Sequence, residues 1–295
     1  MPDRTKQTIS ATQIAALYDA SPYVTRWMLY HQMLGDIPIE IDSRMRWGLK
    51  MQPLLLAQAA EDLKLLVQPN ADDHYMRRGF LGCTRDATIV CPDRGPGALE
   101  TKCVFDYRTW MTDYGGGAFV PRHHELQLQQ QMTVGGEESY RWGVIAVWVA
   151  GDMHYFERKP ISGLGDKLQD AAEGFLSDVR ERREPEPFGV PIEVPWLQEL
   201  YPCVRGQIVD RSSDLDLADA AILYRDAREQ EAAGKRTADA LRARLLGAAL
   251  DAEEMLLGHG VKVSIRPHGK GKRISVYQSG ALNGGTVPDD ILMGG

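Results

Sequence analysis

The chain has 295 residues, 43% hydrophobic and 25% charged, which is enough to bury a full core in one large domain or a domain with an appendage. Its net charge of −7 excludes blanket adhesion to polyanions, although a local basic cleft can still operate inside an acidic protein. No apolar run reaches a bilayer-spanning length, the start MPDRTKQTIS has no apolar signal core, and Cys83, Cys91, Cys103 and Cys203 include no CxxC pair. A cytoplasmic protein with free thiols and no membrane partner is expected.

From Ser10 to Leu34 the apolar residues Ile14, Leu17 and Tyr18, then Trp27, Met28 and Met33, recur at helical spacing. The turn-forming Ser21-Pro22 between them predicts two helices. RMRWGLKMQPLLLAQAAEDLKLL predicts one long helix, with Pro53 near its first turn. Strands are expected around 79–90 and 98–105, joined by the turn-rich CPDRGPG. After the glycines of YGGGAF, RHHELQLQQQMTV predicts a helix, and YRWGVIAVWVA with DMHYFERKP predicts a hairpin turning near Gly151.

Strands interleaved with helices give an α/β class, a mixed sheet flanked by helices, over residues 1–183. Residues 184–211 are proline-rich and form a linker or a wrapped arm. Within 212–295, the Ala-, Leu-, Arg- and Glu-rich stretch 214–257 predicts a helical hairpin broken at AAGKR. VKVSIRPHGKGKRISVY predicts a basic β-hairpin, and a glycine-rich tail frays beyond it.

GALETKCVF places Glu100 and Lys102 on one face of a strand that otherwise reads as core. If the strands around CPDRGPG pair antiparallel about Asp93, partner numbers sum to 186, so Asp86 falls opposite Glu100 and Cys83 opposite Cys103. Opposed carboxylates repel unless a cation sits between them. Hard oxygen donors without His or Cys at ligand spacing favour Mg²⁺, with Mn²⁺ as a substitute. Asp86 and Glu100 are then the metal ligands, and Lys102 orients the nucleophile or offsets charge on a reacting phosphate. Glu100 and Lys102 as solvated strand residues is the plain alternative. Other chemistries lack their parts: no P-C-x-x-C follows HHE, no GxxxxGK[ST] occurs, and SGLGDKL lacks a third glycine.

An Asp, a variable hairpin and Glu-x-Lys together resemble the PD-(D/E)xK nuclease fold. RWGLKMQP, LETKCVF and HELQLQQQM are similar to motifs of one branch, the lambda-type alkaline exonucleases and YqaJ-like phage recombinases, over residues 9–160. That resemblance implies a restriction-endonuclease-like fold and a Mg²⁺-dependent 5′–3′ exonuclease acting on linear duplex DNA ends. It also implies a single-strand annealing protein as partner, a phage or prophage setting, and room for a homo-oligomer. Asp86, Glu100, Lys102 and Gln127 become the catalytic set. Gln52 stands where the family carries Glu, a loss of one carboxylate, and His124 replaces Tyr.

Ser10, Thr12, Arg46, Arg78, Arg122, His124 and Gln129 become DNA-binding candidates, within a wider basic set that includes Arg44, Lys50, Arg77, Arg108 and His123. An endonuclease of the same fold is the alternative within enzymes. A nuclease-like DNA-binding protein with decayed catalysis, which Gln52 makes thinkable, is the alternative outside them.

Overall fold

Two apolar strands, along residues 95–104 and 143–149, set the core of the first unit, because side chains of successive strand residues feed opposite faces of a sheet and both faces are covered. The structure is a computed structural model that describes residues 7–37, 42–70, 74–135, 140–269 and 271–278. It comprises two compact units, Met1–Arg205 and Gly206–Gly295. Among the described residues no helix is long and apolar enough to cross a membrane.

In chain order the first unit begins with β1 (Ile9–Ser10), a 3-10 turn (Ile14–Tyr18), α1 (Arg26–Leu34) and α2 (Ser43–Leu63). Then come β2 (Leu66–Pro69), β3 (Met76–Arg78), β4 (Leu81–Cys83), β5 (Ala87–Cys91) and β6 (Gly95–Val104). α3 (Tyr107–Asp113) and α4 (Arg122–Val134) lead to β7 (Gly143–Val149), β8 (Asp152–Arg158), α5 (Leu164–Arg180) and α6 (Val194–Leu200). The main sheet runs β2-β5-β6-β7-β8, and only its β6–β7 pair is parallel. A parallel pair needs a crossover, and α3 with α4 supplies it.

One sheet face, with Ala87, Ile89, Leu99, Val144 and Ala146, packs on Leu56 and Ala59 of α2. The other, with Ala98, Ile145, Val147 and Val149, packs on Leu128 and Met132 of α4 and on Trp110 of α3. This covered sheet is the mixed α/β architecture expected. A smaller sheet, β1-β4-β3, shares a separate core with α1 and α5.

Several expectations change. The first predicted helix is only the 3-10 turn, and Thr25 caps the second by accepting the Met28 N–H at 3.2 Å. α2 starts at Ser43, capped by Asp42, so Pro53 lies mid-helix rather than near the first turn. Packing of Leu55, Leu56 and Ala59 carries the helix across the missing donor. The single strand expected over 79–90 is two strands in two sheets.

Ala87–Cys91 pairs with Gly95–Leu99 in the expected register, Ala87 opposite Leu99. Cys83, however, pairs with Met76, so it never faces Cys103, which lies beside Trp148. The break has a physical cause at Thr84–Asp86. Arg85 is buried and donates to the Gly135 carbonyl at 2.8 Å, which draws the backbone away from the ladder.

The proline-rich stretch is an arm docked on α1. Glu184 accepts from Trp27 Nε1 at 2.9 Å and Tyr201 Oη at 2.6 Å. Glu193 accepts from Thr25 Oγ1 at 2.6 Å and from the backbone N–H groups of Phe188, Gly189 and Val190.

In the second unit α7 (Leu215–Ala249) is one continuous helix, not the expected helical hairpin. AAGKR contains no proline, and a mid-helix glycine costs only about 1 kcal/mol against alanine, so its strong helix-forming neighbours carry the turn. β9 (Glu254–Leu256), β10 (Val261–His268) and β11 (Gly271–Gln278) follow, the last two forming the expected hairpin. The tail expected to fray lies outside the described residues.

Candidate active site

β6 is longer than its partner β5. Beyond Leu99 the β5 edge of β6 has lost its ladder strand, and the side chain of Asp86 takes over. Its Oδ2 accepts from the Thr101 backbone N–H at 2.7 Å and the Thr101 hydroxyl at 2.6 Å. A carboxylate thus lies against β6 at the residue between Glu100 and Lys102.

Glu100 points to the α4 face of the sheet, 4% exposed, and is gripped by three donors. Lys102 Nζ lies 2.5 Å and Gln127 Nε2 2.6 Å from Glu100 Oε1, while Gln131 Nε2 lies 2.6 Å from Oε2. Lys102 also donates to Gln127 Oε1 at 2.9 Å, closing a ring of Glu100, Lys102 and Gln127. Such charge-assisted bonds fix both the carboxylate plane and the ammonium.

Burial, and then the nearby negative charge of Glu100, push the Asp86 carboxyl up to about 7, while Lys102 and Thr101 pull the other way. The imidazoles of His123 and His124 both fall, first through burial and then through Lys102, His123 to about 4. Both are neutral near pH 7, with rings 3.9 Å apart, and among the described residues His123 Nε2 and His124 Nδ1 are buried without hydrogen-bond partners.

The site therefore holds more negative charge than its one lysine balances. Its donors are hard oxygens, Asp86 Oδ1 accepts no hydrogen bond among the described residues, and Gln131 Oε1 is buried without a donor. Those features fit a Mg²⁺- or Mn²⁺-class ion held by Asp86 and Glu100. Among the described residues no three His, Cys, Asp or Glu side chains gather as a metal cluster. The rest of a coordination shell would come from carboxamide, backbone or water oxygen, as Mg²⁺ sites often arrange it.

Asp86, Glu100, Lys102 and Gln127 are thus brought together. Gln52, half-buried on α2, bonds to neither carboxylate. Gln129 is turned elsewhere: it donates to Lys159 O at 3.0 Å and accepts from Ile161 N at 2.9 Å, fastening the segment after β8. It is 3% exposed and lies on a different side of α4 from Gln127, because residues two apart on a helix do not share a face.

Ser10 and Thr12 hydrogen-bond to each other at 3.0 Å in the small-sheet region, with no bond to the carboxylate pair. Arg78 donates to Thr133 O at 3.0 Å, and Arg122 is exposed on the first turn of α4. Arg46 lies with Arg44 and Lys50 on the exposed start of α2, where Lys50 sits 5.1 Å from the Trp47 ring centroid. Gln131 was not singled out from the sequence. Its signal was there, since it follows Gln127 by four residues and so shares that helix face.

Residues 2–138 match the family model of the YqaJ-like viral recombinase domain. No curated protein matches the chain. Among solved structures, an alkaline exonuclease from Laribacter hongkongensis is 15% identical, aligned over 66% of this chain and 94% of its own, with a TM-score of 0.48. The same enzyme in complex with dAMP aligns at 14% identity over 66% and 94%, TM-score 0.48. A phage-related exonuclease from Haemophilus somnus is 13% identical over 59% of this chain and 96% of its own, TM-score 0.46.

Proposed function

We propose that this chain, whose residues 2–138 match the family model of the YqaJ-like viral recombinase domain, is a divalent-metal-dependent DNA nuclease that degrades linear duplex DNA from an end. The observation that carries the reading is the pairing of half-buried Asp86 with buried Glu100 on an unladdered strand edge, with Lys102 locked between Glu100 and Gln127. Asp86 and Glu100 would hold the ion. When bound, a divalent cation supplies Lewis acidity and an activated water for phosphodiester hydrolysis.

The chain's own residues set the geometry. Gln127 and Gln131 fix the two oxygens of Glu100, and Glu100 fixes Lys102, so the ammonium stands ready to stabilise negative charge on a scissile phosphate. The neutral His123 and His124 add no competing positive charge beside Lys102. Arg44, Arg46 and Lys50 on α2, with Arg122 on α4, supply exposed phosphate contacts. The role is strand resection in a phage-type recombination reaction, in the cytoplasm, ahead of a single-strand annealing protein.

The test is Mg²⁺-dependent digestion of end-labelled linear duplex beside a covalently closed circle. The expected result is loss of the linear substrate alone, abolished by Lys102→Ala. Cleavage of the circle would assign an endonuclease instead. No cleavage of either, by folded protein that binds DNA, would replace the enzyme with a binding protein.

A further inference from the structure

The start of α2 carries an open aromatic ring. Trp47 is 55% exposed, with Met45 and Leu49 also exposed beside it. Covering such a ring would be favourable, so a cluster of open apolar groups marks a contact surface rather than a packing face. Arg44, Trp47, Lys50 and Leu54 recur at three- and four-residue intervals and share one stripe, in which a cation alternates with an apolar group. Lys50 Nζ lies 5.1 Å from the Trp47 ring centroid, within cation–π reach.

The end of β6 brings further rings to the same place. Phe105 is 53% and Tyr107 63% exposed, and Phe105 is propped edge to face against Trp148 at 6.2 Å. The Asp106 carboxyl between them is held below its ordinary value first by the Thr109 hydroxyl, then by the Thr109 and Arg108 N–H groups and by the positive charge of Arg44, while burial opposes them. That interaction of Arg44 with Asp106 sets the start of α2 beside the start of α3. Phe105 follows Lys102 by three residues of extended chain, about 10 Å.

The charge of this patch selects its occupant. From 43 to 60 the sequence contains Arg44, Arg46 and Lys50 and neither Asp nor Glu. The flanking acids serve as helix caps: Asp42 accepts the Met45 N–H at 2.7 Å, and Asp106 accepts the Arg108 N–H at 2.8 Å. Exposed rings interleaved with cations match a strand whose bases alternate with phosphates, whereas an apolar protein face would leave the cations unmatched. Bases inside a duplex have both faces covered by their neighbours, so an open ring can stack only on an unpaired or terminal base. At about 1.5 Å per residue the stripe from Arg44 to Leu54 spans about 15 Å, room for about four stacked nucleotides.

We propose that Trp47, Phe105 and Tyr107 form a stacking platform for unpaired DNA bases beside the active site, with Arg44 and Lys50 on the intervening phosphates. The platform rests on the reading of the chain as a DNA nuclease, and it gives that enzyme a grip on single-stranded DNA that duplex does not share.

The experiment uses the full chain in EDTA and follows the anisotropy of fluorescent ligands: a short single-stranded oligothymidylate, an abasic strand of the same length, and a blunt duplex. Wild type is compared with Trp47→Ala and Trp47→Phe. Trp47→Ala is expected to bind the oligothymidylate roughly tenfold more weakly, with the abasic strand and the duplex within about twofold of wild type. Trp47→Phe, which keeps a ring, is expected to recover most of the loss. The slope of log K against log salt is expected to be the same in all of these proteins, because stacking on a ring releases no counterions.

Equal affinity of wild type and Trp47→Ala for the oligothymidylate would overturn the inference, as would a wild type that binds the abasic strand as tightly as the oligothymidylate. An equal loss on every ligand, or no recovery with phenylalanine, would assign Trp47 to structure, and the inference also falls. Base-dependent binding through Trp47 by a protein that cuts nothing would leave the platform standing while removing the nuclease reading. Cleavage by a protein whose single-strand affinity ignores Trp47 would do the reverse.

Discussion

Replacing Gln131 by Leu separates geometry at the candidate site from stability of the fold. Gln131 is fully buried, and its Nε2 donates to Glu100 Oε2 at 2.6 Å. Losing a hydrogen bond to a charged group costs about 1.5–3 kcal/mol. The same change removes Gln131 Oε1, a buried acceptor with no donor, whose desolvation costs about 1–3 kcal/mol in the wild type.

The two contributions oppose each other, so net stability is expected to move by no more than about 2 kcal/mol, or about 4–8 °C in Tm for a unit of this size. Activity behaves differently. With Oε2 released, Glu100 is held only on the Oε1 side by Lys102 and Gln127, and its carboxylate plane can turn. Misplacement on the order of 1 Å costs up to about 100-fold in rate, so kcat is expected to fall about 10- to 100-fold. KM for DNA should stay put, because a buried residue beneath the carboxylate touches no substrate. Steady-state kinetics beside a thermal melt reads both. A kcat within twofold of wild type at equal Tm would refute the role given to Gln131.

The arm gives a stability prediction. Burial pushes the Glu193 carboxyl up, but the hydrogen bonds from Thr25 and the Phe188, Gly189 and Val190 N–H groups outweigh it and leave it below its ordinary value. A depressed carboxylate contributes stability above its unfolded pKa and loses it as pH falls through the folded value. Glu193→Ala is therefore expected to cost about 2–4 kcal/mol near neutrality and much less in acid, read from urea midpoints. An equal cost at both pH values would contradict the ionic role. For the thiols, burial pushes Cys83 up to about 12, whereas the Arg94 side-chain hydrogen bond lowers Cys91. Under a neutral maleimide pulse resolved by mass spectrometry, Cys91 and the exposed Cys203 are expected to label and Cys83 to stay protected. Labelling of Cys83 at the same rate would mean that β4 opens readily.

What was legible in the sequence was local. The turn around Asp93 fixed the β5–β6 register, so Ala87 opposite Leu99 follows from counting, and the neighbourhood of Asp86, Glu100 and Lys102 came with it. What was not legible depends on distant partners. Nothing in GFLGCTRDATIV announces that Arg85 is drawn to Gly135 or that Asp86 will replace a strand on the edge of β6, so one predicted strand became two. Gln127 and Gln129 looked alike in HELQLQQQM, and only the seating of α4 separates the residue facing Glu100 from the one bound to the Lys159–Ile161 segment. Gln52 shows the reverse case. Its neutral amide was visible as a lost carboxylate, and the structure gives it no bond to either remaining acid.

The claim that Asp86 and Glu100 form a cation site is tested most directly by Mn²⁺ binding, followed by electron paramagnetic resonance at a pH of about 8. That pH lies above the value of about 7 to which Asp86 is raised, so its carboxylate is available to the ion. The account expects saturable uptake of Mn²⁺ by the wild type, displaced by Mg²⁺ and lost in Asp86→Asn/Glu100→Gln protein that still binds duplex DNA. An identical Mn²⁺ isotherm for the two proteins would contradict it.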